Sequence, residues 1–121
     1  MNNFSVVLDL IEHAKTHQIT DGRFEALACS GMGLALRLPY GEVALFHEWV
    51  STLGTATVNA RRDINHPGEL AAFGIVEAGH RVSVVVELDR RLLIDAKLLG
   101  RVELPKVEKL ARELNPELVT A

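Results

Sequence analysis

Two pairs of arginines are the residues of this chain whose chemistry is most suited to binding. Arg61 and Arg62 end one predicted strand, and Arg90 and Arg91 follow another. Guanidinium groups bind carboxylates and phosphates through paired hydrogen bonds, so these pairs, brought together, would contact an anion or an acidic partner. The alternative, which we favour, is ordinary solvation of charged strand ends. Arg101 is grouped with these four arginines, whether they bind an anion or are solvated strand ends.

Two histidines have the spacing of metal ligands. His13 and His17 lie four residues apart in the segment HAKTH, which places two imidazoles on one face of a helix. A metal site needs a further ligand, and nothing nearby in the sequence supplies one, since the motif HExxH is absent. We therefore predict no metal site and assign both histidines to the solvated side of a helix.

Residues 29–33 lie at a predicted tight turn, where proteins sometimes present a nucleophile or bind a phosphate. Cys29 and Ser30 precede a predicted tight turn, but the motif GxSxG is absent and no base is recognisable. We predict a small buried thiol, a turn serine and no catalytic residue. The GxG of residues 31–33 is followed by the alternating leucines of a strand, whereas phosphate binding requires a helix there. We therefore predict no cofactor.

Composition limits the classes of protein to consider. The 121 residues are 48% hydrophobic and 24% charged, which predicts one folded domain over residues 1–121. The net charge of -3 and the lack of aromatic residues among the arginines predict no nucleic-acid partner. The single cysteine, with no signal peptide and no long apolar run, predicts a cytoplasmic protein without a membrane partner.

Three segments have the apolar spacing of amphipathic helices. The first covers residues 3–17. Its apolar side chains are expected to be buried, and its polar side chains are expected to face solvent. The buried set is Phe4, Val7, Leu10, Ile11 and Ala14, and the outer set is Asp9, Glu12, His13 and Lys15. The second helix covers residues 42–53 and carries Phe46 and Trp49 on its apolar side, either in the core or at a dimer interface. The last helix begins at Pro105.

Five segments have the apolar and polar alternation or the flanking turn residues that are typical of strands. They lie near residues 24–29, 34–38, 55–62, 69–76 and 81–88. Residues 89–104 are ambiguous between a short helix and an irregular crossing. The fold class is therefore α+β, with an antiparallel sheet of about five strands and helices on one face, in the order α-β-β-α-β-β-β-(α)-α. This order resembles the roadblock and profilin-like topology, whose small domains dimerise through a helix and an edge strand.

The segments VALFHEWVSTLGTATVNARR, GELAAFGIVEAGHRVSVVVELD and VELPKVEKLAREL also resemble small uncharacterised α+β proteins of actinobacteria and their mobile elements. The resemblance implies the same layout and brings no functional residue with it. The chain departs from those proteins after Val86, where LDRRLLIDAKLLG replaces a glycine-rich stretch.

These patterns favour a non-enzymatic protein-interaction module that forms a homodimer or binds another protein. Two alternatives stay open. The first is a small-ligand or nucleotide-binding domain with a pocket near Arg61, Arg62, His66 and His80. The second is a phage or mobile-element protein that binds a host factor.

Overall fold

The computed structural model describes residues 3–30, 33–62, 68–76 and 78–114, without the side chains of residues 3–5, 29 and 30. The described helices are α1 (Asn3–Thr16), α2 (Val43–Val50), α3 (Arg90–Asp95) and α4 (Leu104–Leu114). The described strands are β1 (Ala26–Ser30), β2 (Gly33–Arg37), β3 (Gly54–Arg61), β4 (Glu69–Ile75), β5 (Arg81–Glu87) and β6 (Gly100–Val102). The predicted α+β class is confirmed.

The six strands form one sheet in the order β1-β2-β5-β4-β3-β6. Strands β2 and β5 pair in parallel, with Leu34 opposite Val82, and the other neighbours are antiparallel. The sheet is therefore mixed and has six strands, rather than five antiparallel ones. The parallel pair arises because α2 carries the chain across the sheet, and the β3-β4-β5 meander then returns β5 to the edge of β2.

The ambiguous segment contains two short elements, which account for the additional strand. Helix α3 begins after Asp89, whose side chain accepts a hydrogen bond from the backbone N–H of Arg91 at 2.9 Å. Strand β6 then pairs with β3, with Val102 opposite Val58. Among the described helices, none is both long and apolar enough to cross a lipid bilayer.

The core lies on one face of the sheet, between the strands and the helices. Alternate side chains of β5, namely Val82, Val84 and Val86, are buried there, as period-two alternation requires. Helices α2 and α4 pack on each other and contribute apolar side chains to the same core. Phe46 and Trp49 belong to this core, with only 0% and 6% of their surfaces exposed. These values place both side chains in the core of the chain, which is one of the two alternatives given for them above, and a role at a dimer interface stays a prediction.

The buried stripe of α1 is rotated by about one residue from the predicted one. Val6, Leu10 and His13 are buried, whereas Ile11 is 44% exposed. The placement of His13 on the solvated side of the helix is therefore wrong. Its imidazole is buried against α2, where Trp49 lies parallel to it with ring centroids 6.1 Å apart.

The second face of the sheet, here called the open face, carries the remaining alternate side chains of the strands. Most of them are exposed or half-buried. The open face consists of Ala26, Ala28, Ala35, Arg37, Thr57, Asn59, Arg61, Glu69, Ala71, Phe73, Ile75, Arg81, Ser83, Val85, Glu87 and Arg101.

Candidate functional site

The open face has an apolar centre formed by register across neighbouring strands. Ala35 of β2 lies opposite Ser83 of β5, which lies opposite Phe73 of β4, which lies opposite Thr57 of β3. Phe73 is 50% exposed, and Ile75, two residues further along β4, is 37% exposed. An antiparallel sheet with one solvated face normally carries polar side chains there, so two adjacent bulky apolar side chains mark a surface suited to a partner.

A groove of about 510 Å³ runs along this centre. Small side chains of Ala35 and Ser83 and bulky ones of Phe73 and Ile75 line it, together with Arg81. A neighbouring hollow of about 330 Å³ shares Ala35 and continues towards the edge strand β1. The apolar surface therefore extends from β4 across β5 and β2 to β1.

Two glycines permit the close backbone packing beside this groove. A Cβ at Gly74 would lie 2.7 Å from the Cβ of Leu53, on the core side of β4. A Cβ at Gly33 would overlap the carbonyl oxygen of Arg81, where β2 approaches β5. Gly33 also has a φ of +119°, which side-chain-bearing residues rarely adopt.

Charged side chains flank the apolar centre at both ends. At one end Arg37 lies 3.8 Å from Glu87, and Arg61 lies 3.9 Å from Glu69, each pair spanning two strands. At the opposite end Arg81 begins β5. Strand β5 therefore presents a cation at its start and an anion at its end on the same face.

The two predicted arginine pairs lie at the same end of the sheet. Arg61 and Arg62 follow one another at the end of β3, next to the start of β4. The carbonyl of Gly68 accepts a hydrogen bond from the N–H of Leu88 at 3.1 Å, which holds the start of α3 beside this point. A Cβ on Gly68 would lie 3.0 Å from the Cα of Arg90, which confirms the proximity of the two segments. Contact with an anion or an acidic partner stays a prediction.

The individual arginines differ in their surroundings. The guanidinium of Arg61 is shared with Glu69, as described above, and Arg90 and Arg91 are exposed. Arg62 is half-buried, and within the part of the chain that the structure describes its Nε atom is buried with no hydrogen-bond partner. These four residues, here called the basic edge, lie near one another at one end of the sheet, and of the four Arg61 belongs to the open face.

The described residues of the predicted ligand pocket lie at opposite ends of the sheet. Arg61 lies opposite Glu69 at the start of β4, whereas His80 follows the end of β4 in the turn to β5. Seven residues of extended strand separate these positions, or roughly 20 Å. The Nε2 atom of His80 instead donates a hydrogen bond to Oδ2 of Asp9 on α1, with the two atoms 2.7 Å apart. His66 lies outside the described residues.

The histidine pair of α1 takes part in packing. The Nε2 atom of His13 lies 2.9 Å from the hydroxyl of Thr52, and the ring centroids of His13 and His17 are 4.4 Å apart. Within residues 3–30, 33–62, 68–76 and 78–114, no three His, Cys, Asp or Glu side chains are grouped as metal ligands. The side chains of Cys29 and Ser30, and the first two residues of the GxG segment, lie outside the described part of the chain.

The pKa values of Asp21 and Glu48 are shifted by their surroundings near the start of α2. Arg23 donates hydrogen bonds to both carboxylate oxygens of Asp21, and this contact lowers the pKa of Asp21. The same guanidinium lies 3.0 Å from Glu42, so it ties the loop after α1 to the start of α2. Burial raises the pKa of Glu48 on α2, with a contribution from the nearby charge of Asp21. The Arg23 contacts therefore link the loop after α1 to the start of α2, whereas burial disfavours the charged form of Glu48.

Sequence reasoning missed the open face, although a signal for it exists. The segment ELAAFGI is apolar at most positions of both alternations, which is the pattern of a strand with apolar surroundings on two sides. No protein-family model and no curated protein matches this chain. Its function is therefore inferred from the open face and the charges around it.

Proposed function

We propose that this chain is a non-enzymatic protein-interaction module whose binding surface is the open face. The observation that carries the proposal is the pair of exposed apolar side chains, Phe73 and Ile75, beside the small side chains of Ala35 and Ser83. Bulky apolar groups next to a shallow apolar hollow lose unfavourable contact with water when a complementary surface covers them.

The dimensions of the open face favour a protein over a small molecule. Five strands spaced about 4.8 Å apart and roughly 20 Å long present roughly 500 Å² of planar surface. That area exceeds what one small ligand covers and approaches the ~800 Å² that each protein contributes to a typical interface. A homodimer is the simplest form of such a module, because a second copy supplies the same apolar surface.

The ionisable groups near the core support recognition rather than acid–base chemistry. His13 contacts Thr52 inside the helical layer, and His80 contacts Asp9 at the edge of α1. The groove itself is lined by apolar groups, hydroxyls and Arg81. These are the groups that fix the position of a partner, whereas a catalytic site requires an acid or a base facing its substrate.

The finer predictions drawn from the sequence stay predictions within this proposal. They are the cytoplasmic location, the absence of a nucleic-acid partner, the roadblock and profilin-like topology and the origin in an actinobacterial mobile element. The basic edge of Arg61, Arg62, Arg90 and Arg91 would extend the binding surface towards an acidic region of the partner.

Affinity capture with a matched pair of variants tests the proposal. The tagged chain is incubated with lysate of its source cells and with an untagged second copy, and bound proteins are identified by mass spectrometry. Wild type and Ile94→Glu, which changes a 42% exposed apolar side chain on α3, are expected to retain the same partner. Phe73→Glu is expected to lose it, because a carboxylate would be placed at the centre of the apolar surface.

Circular dichroism must show that both variants are folded before capture is compared. Identical capture by wild type and Phe73→Glu would show that the open face is not the binding surface.

A further inference from the structure

We infer that the occupant of the open face is a second copy of this chain, stacked face to face so that each β5 runs antiparallel to the other. This inference rests on the proposed function, since it assigns a partner to the same surface. Two observations carry it, namely the order of charges along β5 and the sizes of the side chains on β4.

The charge order of β5 makes the strand complementary to itself in one orientation only. Arg81, Ser83, Val85 and Glu87 all lie on the open face, because the side chains between them are buried in the core. In an antiparallel stack, Arg81 of each copy lies over Glu87 of the other, and the contact occurs twice. In a parallel stack, arginine would lie over arginine and glutamate over glutamate. Packed sheets are about 10 Å apart, a separation that extended Arg and Glu side chains reaching from both sides can span.

The side-chain sizes on β4 agree with the same symmetry. Phe73 is in register with Ser83, and Ala71 is in register with Val85. A two-fold axis passing midway between Ser83 and Val85, perpendicular to the strands, exchanges these two rows. Phe73 of one copy then lies over the position of Ala71 in the other. Ala71 is small and only 2% exposed, so the ring would meet its neighbours around a low point of the surface in both halves of the interface.

The area of the face sets the expected strength of the contact. Burying roughly 500 Å² on each copy gives ~1,000 Å² in total, which is near the lower limit for specific protein interfaces. The dimer is therefore expected to be in exchange with monomer at micromolar concentration. Phe73 would lie within the covered area, whereas Ile75, in register with Arg81, would lie over Glu69 of the other copy towards the end of the interface.

A charge-exchange experiment on the full chain tests the arrangement. Molar mass is measured by size-exclusion chromatography with light scattering, and the dimer Kd by sedimentation equilibrium. Wild type is expected to be a dimer at high concentration, and Arg81→Glu and Glu87→Arg are each expected to raise the Kd at least about tenfold, because like charges then meet. The double variant, and an equimolar mixture of the two single variants, are expected to dimerise again because opposite charges meet in both.

Lys109→Glu, on the exposed side of α4, is the matched control for a change of charge and is expected to leave the Kd unchanged. Thermal unfolding checks that Glu87→Arg, which also loses the Arg37 contact, remains folded.

Dimerisation that is insensitive to the single changes, or not restored by the double change, would overturn the antiparallel arrangement. A wild type that stays monomeric while Phe73-dependent capture of another protein persists would overturn the second copy as occupant and leave the proposed function standing. Capture that is the same for wild type and Phe73→Glu would reject the proposed function itself.

Discussion

The buried imidazole of His13 acts as a hydrogen-bond donor through Nε2. The hydroxyl of Thr52 has one proton, and it donates that proton to the carbonyl of Trp49 at 2.7 Å. The same oxygen lies 2.9 Å from Nε2 of His13, so it accepts a hydrogen bond there. The geometry therefore assigns the proton to Nε2 and joins α1 to the end of α2 through a polar contact inside an apolar layer.

Removing this acceptor is expected to destabilise the fold. Thr52→Val keeps the side-chain shape but leaves Nε2 of buried His13 without this acceptor, so the free energy of unfolding should fall by about 1–3 kcal/mol. Chemical denaturation measures the change. Ser51→Ala, which removes an exposed hydroxyl one residue earlier, is the control and is expected to change stability by less than about 0.5 kcal/mol. Equal effects of the two substitutions would show that the contact with His13 contributes nothing.

The carboxyl group of Glu48 is expected to oppose folding at neutral pH. Burial raises its pKa above the ordinary value of 4.5, so the folded state binds the proton more tightly than the unfolded state. Stability contributed by this group therefore falls as pH rises from 4.5 through the raised pKa, and the full penalty is present above it. Glu48→Gln, which is neutral at every pH, should raise the melting temperature at pH 7.

The pH dependence of that gain separates titration from other effects of the substitution. The gain should disappear when both proteins are melted below the ordinary pKa of a glutamate, because the wild-type carboxyl is then also neutral. Glu113→Gln, at an exposed position on α4, serves as the control and should show no gain at either pH. A stabilisation of Glu48→Gln that is the same at both pH values would contradict the desolvation argument.

At the scale of elements, the parallel pairing of β2 with β5 depends on one glycine. The φ of +119° at Gly33 and the overlap of any Cβ with the carbonyl of Arg81 both exclude a side chain at this position. Gly33→Ala is expected to lower the free energy of unfolding by about 3 kcal/mol or more, from backbone strain and displacement of the neighbouring strand together. Gly22→Ala, which meets no atom within 4 Å, is the control and should cost little.

Hydrogen exchange locates the effect of Gly33→Ala. Amides of β2 and the adjoining part of β5 should exchange faster in the variant, whereas those of the β3–β4 pair should change less. Uniform acceleration across the sheet would show that the substitution acts on global stability without a local separation of the two strands.

The accuracy of the sequence predictions follows the range of the interactions that define each element. Helix α2 and the β4–β5 hairpin are recognised because their periodicity is local. The rotation of α1 is missed because His13 counts as polar, and the hydroxyl that permits its burial lies 39 residues away in sequence. The parallel β2–β5 pair is missed because it joins segments separated by a helix and two strands.

At the scale of the whole molecule, the separation of His80 from the arginine pairs was within reach of sequence reasoning. A meander of β3, β4 and β5 places the β3–β4 connection at one end of the sheet and the β4–β5 turn at the other. Arg62 and His80 lie in those two connections, so they cannot share a pocket. The position of the open face could not be predicted in the same way. Alternation shows that β4 is apolar on both sides, but which side the helices cover depends on how the whole chain packs.

The last prediction concerns the thermal stability of the whole molecule as a function of its concentration. If a second copy covers the open face, association occurs only in the folded state, and the melting temperature of wild type should rise with protein concentration. Raising the concentration from near the Kd to about one hundred times the Kd stabilises each chain by roughly 1 kcal/mol, which is an increase of a few degrees. Phe73→Ser should melt at one temperature throughout, while remaining close to wild type when both are dilute, because its ring is half exposed in the single chain. Ile94→Ser, the matched exposed position on α3, should keep the concentration dependence of wild type. Differential scanning fluorimetry across this range measures all three, and a wild-type melting temperature that does not change with concentration would contradict self-association through this face.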